Sequence, residues 1–250
     1  MRLFDANFAM GTPNLRVPDY AANADDVTRY MESYGIEQAL VWHTAQLDGG
    51  PLTGNPMLTE VIRDNDRICS TWAILPPQTC EIDVTGIFDQ MKANRIAALR
   101  AFPTEHKYLL RRSVFGHFFD EVTERGIPLL YSVNDLRDKW IELYDFMESY
   151  PLLTCIVCDV GIWGVDRFTW PLLERYPNLY LETSYLSLES SGLDTAVEKF
   201  GASRFVYGSG FPYRYPEAAK MDLIHADASS DEINQIAWQN MNNIMMRIAP

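Results

Sequence analysis

At 250 residues, with 47% hydrophobic and 12% aromatic residues, the chain can bury a sizeable core and matches one α/β barrel in size, so one domain over 1–250 is expected. Charged residues are only 22%, with no single-charge, Gly/Ser-rich or Gln-rich tract, which excludes a disordered or low-complexity protein. The 21 Lys and Arg against 34 Asp and Glu leave a net charge of -13, a surface that repels phosphate backbones and anionic membranes, so neither is an expected partner.

The opening MRLFDANFAM has one basic residue, a carboxylate at Asp5 and no apolar run of signal-peptide or membrane-span length. A cytoplasmic location is the expectation. Cys69, Cys80, Cys155 and Cys158 are too few and too scattered for a disulfide scaffold or a four-thiolate zinc site, and read as small buried hydrophobes. Cys155 and Cys158 form a C-x-x-C, but in the strand-like run LLTCIVCDVG positions three apart point to opposite faces.

Taken in chain order, apolar β-branched runs alternate with amphipathic stretches. The strands expected are 2–7, 38–43, 68–75, 96–102, 128–133, 153–160, 179–184 and 204–210. Helical patterns lie between them near 23–34, 114–126 and 139–151, and a last one closes the chain at 229–249. Gly35, Gly126 and Pro151 read as helix stops. The stretch TAQLDGGPLTGNP after His43 reads as a covering loop with Gly and Pro hinges.

Eight such units without a linker or a fixed-period repeat predict a closed (β/α)8 barrel. A doubly wound open sheet is the runner-up, disfavoured because DANFAMG contains neither G-x-G-x-x-G nor a Walker-type turn. In a barrel, function sits where the strands end. Alternation then brings to one mouth Asn7 and Ala9, His43, Arg100, Ser132 or Tyr131, Asp159, Glu182 or Ser184, and Gly210. One cation, one imidazole and two carboxylates make a small-molecule site.

Several segments resemble the amidohydrolase-related (metal-dependent hydrolase) TIM barrels, a group that includes aminocarboxymuconate-semialdehyde decarboxylase and several lactonases. They are LFDANFAMG at 3–11, RAFP at 100–103, GIPLLYS at 126–132, CIVCDVG at 155–161, PLLERYPNLYLETS at 171–184 and RFVYGSGFP at 204–212. The resemblance implies a divalent metal held by two first-strand histidines, one histidine at the end of each of strands five and six, and an eighth-strand aspartate. Those positions hold Asn7 and Ala9, Ser132 or its neighbour Tyr131, Asp159, and Gly210. Alanine and glycine offer no side-chain lone pair and an amide is a weak zinc ligand, so no metal and no other cofactor is expected. A carboxylate-only site for Mg2+ or Mn2+ from Asp5, Asp159 and Glu182 is the remaining metal reading.

The function expected is therefore a divergent hydrolase or decarboxylase of a small carboxylated compound. The alternative is a non-catalytic homologue that binds a small ligand or a protein partner. Arg100 is suited to gripping a carboxylate with its planar fork, or else pairs with Glu182 or Asp159 inside the barrel. Asp159 and His43 are the expected proton carriers; the bland readings are a loop cap for Asp159 and a hydrogen-bonded structural residue for His43. Asn7, Ser132, Tyr131, Glu182 and His106, in the loop after Arg100, are expected to position the substrate. Arg214 would form an aromatic, cationic rim with Tyr213 and Tyr215. A nucleophilic Ser209 is disfavoured because G-x-S-x-G is absent. His117 and His225 fall in helical patterns, and a homo-oligomer built on outer helices is the default assembly for a barrel of this size.

Overall fold

Eight short, buried, β-branched or apolar runs pair in parallel, in the order in which they occur in the chain: β1 (Leu3–Met10), β2 (Ile36–His43), β3 (Ile68–Ala73), β4 (Ile96–Ala101), β5 (Leu129–Ser132), β6 (Cys155–Cys158), β7 (Leu179–Glu182) and β8 (Phe205–Val206). The computed structural model describes residues 1–62, 65–135, 140–161, 166–186 and 192–249. Backbone hydrogen bonds from Ala6 N to Tyr207 O (2.8 Å), from Ala9 N to Phe211 O (2.8 Å) and from Gly210 N to Asn7 O (3.1 Å) join β1 to the segment after β8 and close the seam. This is the expected (β/α)8 barrel. Strand β1 runs three residues beyond the expected 2–7, and β8 is shorter than 204–210.

The connections are largely helical: α1 (Ala24–Tyr34), α2 (Thr44–Asp48), α3 (Pro51–Ile62), α4 (Ile87–Ala93), α5 (Arg112–Phe115), α6 (Phe118–Glu124), α7 (Trp140–Ser149), α8 (Asp166–Arg175), α9 (Gly192–Phe200), α10 (Pro216–His225), α11 (Ser230–Asn234) and α12 (Asn240–Met246). Asn23 caps α1 by accepting from Asp26 N, and Gly35 ends it in the left-handed conformation. The stretch expected to be one helix over 114–126 is split at Gly116, and a wider π-turn over Gln235–Gln239 joins α11 to α12. Lys139, the first residue of the helix expected over 139–151, lies outside the described residues.

The covering loop expected after β2 is instead mostly the two helices α2 and α3. His43 starts α2 as its cap, and Pro51 at the head of α3 has no amide for a helix start to lose.

Two apolar layers follow from strand alternation. Phe4, Ala6, Leu40, Ala98, Leu130, Ile156, Cys158, Tyr180 and Val206 fill the barrel and meet Trp238, Met241 and Ile244 of the closing helical segment. Their strand neighbours, among them Phe8, Val41, Leu99, Leu129, Val157 and Leu181, face outward against the helices. Cys155 and Cys158 are buried on opposite sides of β6 as expected, whereas Cys80 is exposed and Cys69 half-buried. Among the described residues no helix is long and apolar enough to cross a membrane.

Candidate active site

The inward phase that carries Leu40 and Ala98 into the barrel continues to Trp42 on β2 and to Arg100 and Phe102 on and after β4. Ala9, Trp42, Ala73 and Phe102 form an apolar wall at the carboxyl ends of β1 to β4. A cavity of about 360 Å³ opens beside it, lined by Asn7, Arg16, Arg100, Ser132, Asp135, Asp159, Tyr185, Tyr213 and Arg214 together with Trp42 and Phe102. This volume falls in the range of small-molecule sites.

Arg100 sits at the cavity edge, only 2% exposed. Its guanidinium carbon lies 4.4 Å from the Trp42 ring centroid and 5.4 Å from that of Phe102. Nη1 donates to Asn7 Oδ1 at 3.0 Å, while the buried Nε has no partner among the described residues. No carboxylate among the described residues lies within ion-pair distance of Arg100, so the pairing with Glu182 or Asp159 does not form. Burying such a charge costs several kcal/mol; one hydrogen bond to a charged donor, worth about 1.5–3 kcal/mol, and a desolvated cation–π contact, about 2, offset only part of it.

Asn7 is the hinge between this cation and a buried acid. Its Nδ2 donates to Glu182 Oε2 at 3.1 Å, and Ser184 Oγ donates to the same oxygen at 3.0 Å. Ser184 N donates to Oε1. Burial, and secondarily Asp159, raises the Glu182 carboxyl well above the ordinary range. Asp5 is fully buried behind it, accepting from Asn7 N and Ser209 N at 2.9 Å each, and burial raises it too. Asp159 adopts a left-handed backbone (φ 58), which aspartate tolerates better than most residues, and accepts from Ser132 Oγ at 2.6 Å. Asp135 lines the cavity on a short 3₁₀ turn after β5; burial pushes it up to about 7, with Arg100 pulling it down and Asp159 pushing it up.

Of the expected site residues the structure brings Asn7, Arg100, Ser132, Asp159 and Arg214 to the cavity. Four others stand elsewhere. His43 follows inward-facing Trp42 and so points outward: Nδ1 accepts from Ala45 N at 2.9 Å to cap α2, its ring packs on Gly11, and burial lowers its basicity. Tyr131 is outward for the same reason, inside the helix-facing core, while its neighbour Ser132 is the inward residue. His106 donates from Nε2 to Leu47 O at 3.1 Å and meets the Phe102 ring edge-on, outside the cavity lining. Glu182 lies behind Asn7 rather than on the cavity surface.

Residues missed from sequence are Trp42, Phe102, Arg16, Asp135 and Tyr185. Trp42 needed the opposite phase at the end of β2, whereas Phe102 continues, two residues on, the inward phase already read for Arg100; Arg16 and Asp135 lie in irregular segments with no periodicity to read. A groove of about 570 Å³ between α3 and α4, rimmed by Glu60, Glu81 and Asp83, lies outside the barrel, and no partnerless buried polar atom of the described residues lines it.

The residues do not fit a divalent metal of the kind the resemblance implies. Asn7 Oδ1 is occupied by a guanidinium, Ala9 belongs to the apolar wall, and Ser132 is bonded to Asp159. Gly210 has φ +64, and a Cβ there would meet Arg214 Cγ at 2.9 Å and Ser184 Cβ and Oγ at 3.0 Å, so an aspartate has no room. Asp5, Asp159 and Glu182 do not converge either: no group of three or more His, Cys, Asp or Glu able to hold a metal occurs among the described residues.

No protein-family profile and no curated protein matches the sequence. Among solved structures, an uncharacterized TIM-barrel protein from Bordetella bronchiseptica superposes with a TM-score of 0.77 at 14% identity, covering 99% of each chain. A 2,6-dihydroxybenzoate decarboxylase in complex with 2,6-dihydroxybenzoate does so at 0.75 and 15% identity, over 98% of each chain. A dihydroxybenzoic acid decarboxylase from Polaromonas sp. JS666, with bound manganese and 2-nitroresorcinol, reaches 0.73 at 16% identity, over 98% of this chain and 96% of that one. At such identities the likeness establishes the fold: this chain has the (β/α)8 TIM-barrel architecture of these structures over 98–99% of its length.

Proposed function

We propose that the protein is a hydrolase or decarboxylase of a small carboxylated compound and that a guanidinium, rather than a divalent metal, supplies the positive charge at its centre. The observation that carries this reading is Arg100, a buried cation on the cavity wall whose only side-chain hydrogen-bond partner among the described residues is an amide oxygen. A ligand carboxylate satisfies it, because a carboxylate can take two parallel hydrogen bonds from the guanidinium.

The remaining lining is consistent with a flat, anionic molecule. Trp42, Phe102, Tyr185 and Tyr213 offer ring faces and edges, and Arg16 and Arg214 add cations to a mouth that has Asp135 and Asp159 as its carboxylates. In a chain of net charge -13 this local excess of cations focuses anions onto the mouth. The fold likeness to dihydroxybenzoate decarboxylases points in the same direction.

Calorimetric titration with benzoate and with its neutral analogue benzamide tests the reading. Benzoate is expected to bind the wild type, with benzamide and the Arg100→Ala variant showing much weaker binding or none; equal binding of the two compounds would overturn it. Product formation from a panel of aromatic and lactone carboxylates separates an enzyme from a homologue that only binds.

A further inference from the structure

Asp135 ends the turn Val133–Asp135 and faces the cavity together with Arg100 and Asp159. Its backbone is anchored, because Thr104 donates to its carbonyl from the amide at 3.2 Å and again from the hydroxyl. Its carboxylate has no hydrogen-bond donor and no ion-pair partner among the described residues. Of the other acids nearby, Asp159 has one carboxylate oxygen engaged by Ser132 Oγ, and both Glu182 oxygens accept from Ser184, one of them also from Asn7. A carboxyl held in place by its main chain, open to the cavity and unclaimed by donors among the described residues is placed to act on a ligand.

We infer that Asp135, not His43, exchanges a proton with the ligand that Arg100 holds; this rests on the mouth being a carboxylate site. In a decarboxylation Asp135 gives its proton to the carbon bearing the departing carboxylate. That carbon–carbon bond breaks, its electron pair forms the new C–H bond, CO2 leaves, and solvent protonates Asp135 again. In a hydrolysis the ionised carboxylate takes a proton from the attacking water, and the leaving oxygen recovers it.

The charges around Asp135 suit this exchange. Arg100 on β4 favours its ionised form, and Asp159 after β6 and Glu105 after β4 favour the neutral one. Tyr213 after β8, with Tyr108 and Tyr131, completes the titratable groups in electrostatic reach among the described residues. Burial outweighs them and leaves Asp135 near neutrality, where a proton can move either way.

The test is calorimetry of benzoate binding at about pH 8 in buffers of different protonation enthalpy, which counts the protons taken up. Uptake by the wild type is expected, and Asp135→Asn should still bind benzoate but lose the uptake, with Asp135→Glu restoring it. Uptake that survives Asp135→Asn, most plainly if Glu182→Gln abolishes it, would overturn the inference while leaving the carboxylate site intact. Absence of benzoate binding to the wild type would instead sink the carboxylate reading. A carboxyl-carbon NMR titration of the ligand-free protein, with the Asp135 signal assigned by its loss in Asp135→Asn, is the second check where benzoate binds: titration near neutrality supports the inference, and titration in the ordinary carboxylate range refutes it.

Discussion

Arg100 Nη1 donates to Asn7 Oδ1 at 3.0 Å, across the barrel from β4 to β1. A neutral amide thus separates a buried guanidinium from the buried Glu182 carboxyl, since the other end of Asn7 donates to Glu182 Oε2. The arrangement keeps the cation from being neutralised by the protein itself.

Replacing Asn7 by leucine removes the partner of both charged groups at once. Each lost hydrogen bond to a buried charged group costs about 1.5–3 kcal/mol, so urea denaturation of Asn7→Leu should show a stability loss of a few kcal/mol on that scale. A loss below about 0.5 kcal/mol, the level of an ordinary surface change, would mean that water supports Arg100 and Glu182 instead.

Metal removal should leave benzoate affinity unchanged, because no described residues form a divalent site. Gly210→Asp, which puts a carboxylate at the expected eighth-strand ligand position, should destabilise the protein by about 1–3 kcal/mol through overpacking against Arg214 and Ser184. Elemental analysis of that variant is expected to find no stoichiometric metal; tight zinc or manganese uptake would contradict this account of the mouth.

The contribution of the buried acids to stability should fall as pH rises through neutrality. Asp135 rises from 3.8 to about 7 on folding, chiefly through burial, and Asp5 and Glu182 move in the same direction. Between those values the folded chain holds protons that the unfolded chain has released. The stabilisation is full below pH 3.8 and is lost as pH passes about 7. Each retained proton contributes at most about 1.4 kcal/mol per pH unit. Across this window the unfolding free energy of the wild type should decline relative to that of Asp135→Asn, the buried His43 and His106 acting equally in both; a relative rise would reverse the assignment.

His43→Ala should cost about 0.5–2 kcal/mol, the worth of a helix N-cap. The reason is that Nδ1 holds Ala45 N while the ring fills the space against Gly11. Benzoate-linked proton uptake should persist in this variant, which calorimetry checks alongside denaturation; its disappearance would return His43 to the mouth chemistry.

The strand and helix order was legible in the sequence because both signals are local. Runs such as QALVWH and CIVC are apolar enough to be buried on both faces, and stretches such as ADDVTRYMESY repeat with helical period. Closure into a barrel then followed from eight repeats of one unit. The placement of Asn7, Arg100, Asp159 and Arg214 at one mouth also followed, since parallel strands share one carboxyl end.

Phase and loop contacts were decided only by the tertiary structure. In a strand buried on both sides, hydrophobicity does not say whether Trp42 or His43, or Tyr131 or Ser132, points inward. Pairing with neighbours around the closed sheet chooses, and it chose Trp42 and Ser132. The irregular register between Asp5 and Phe8 of β1 likewise has no signature in sequence. Asp135 became a cavity residue through its anchor to Thr104, thirty-one positions away along the chain. Such contacts depend on loops meeting in space, which no local period records.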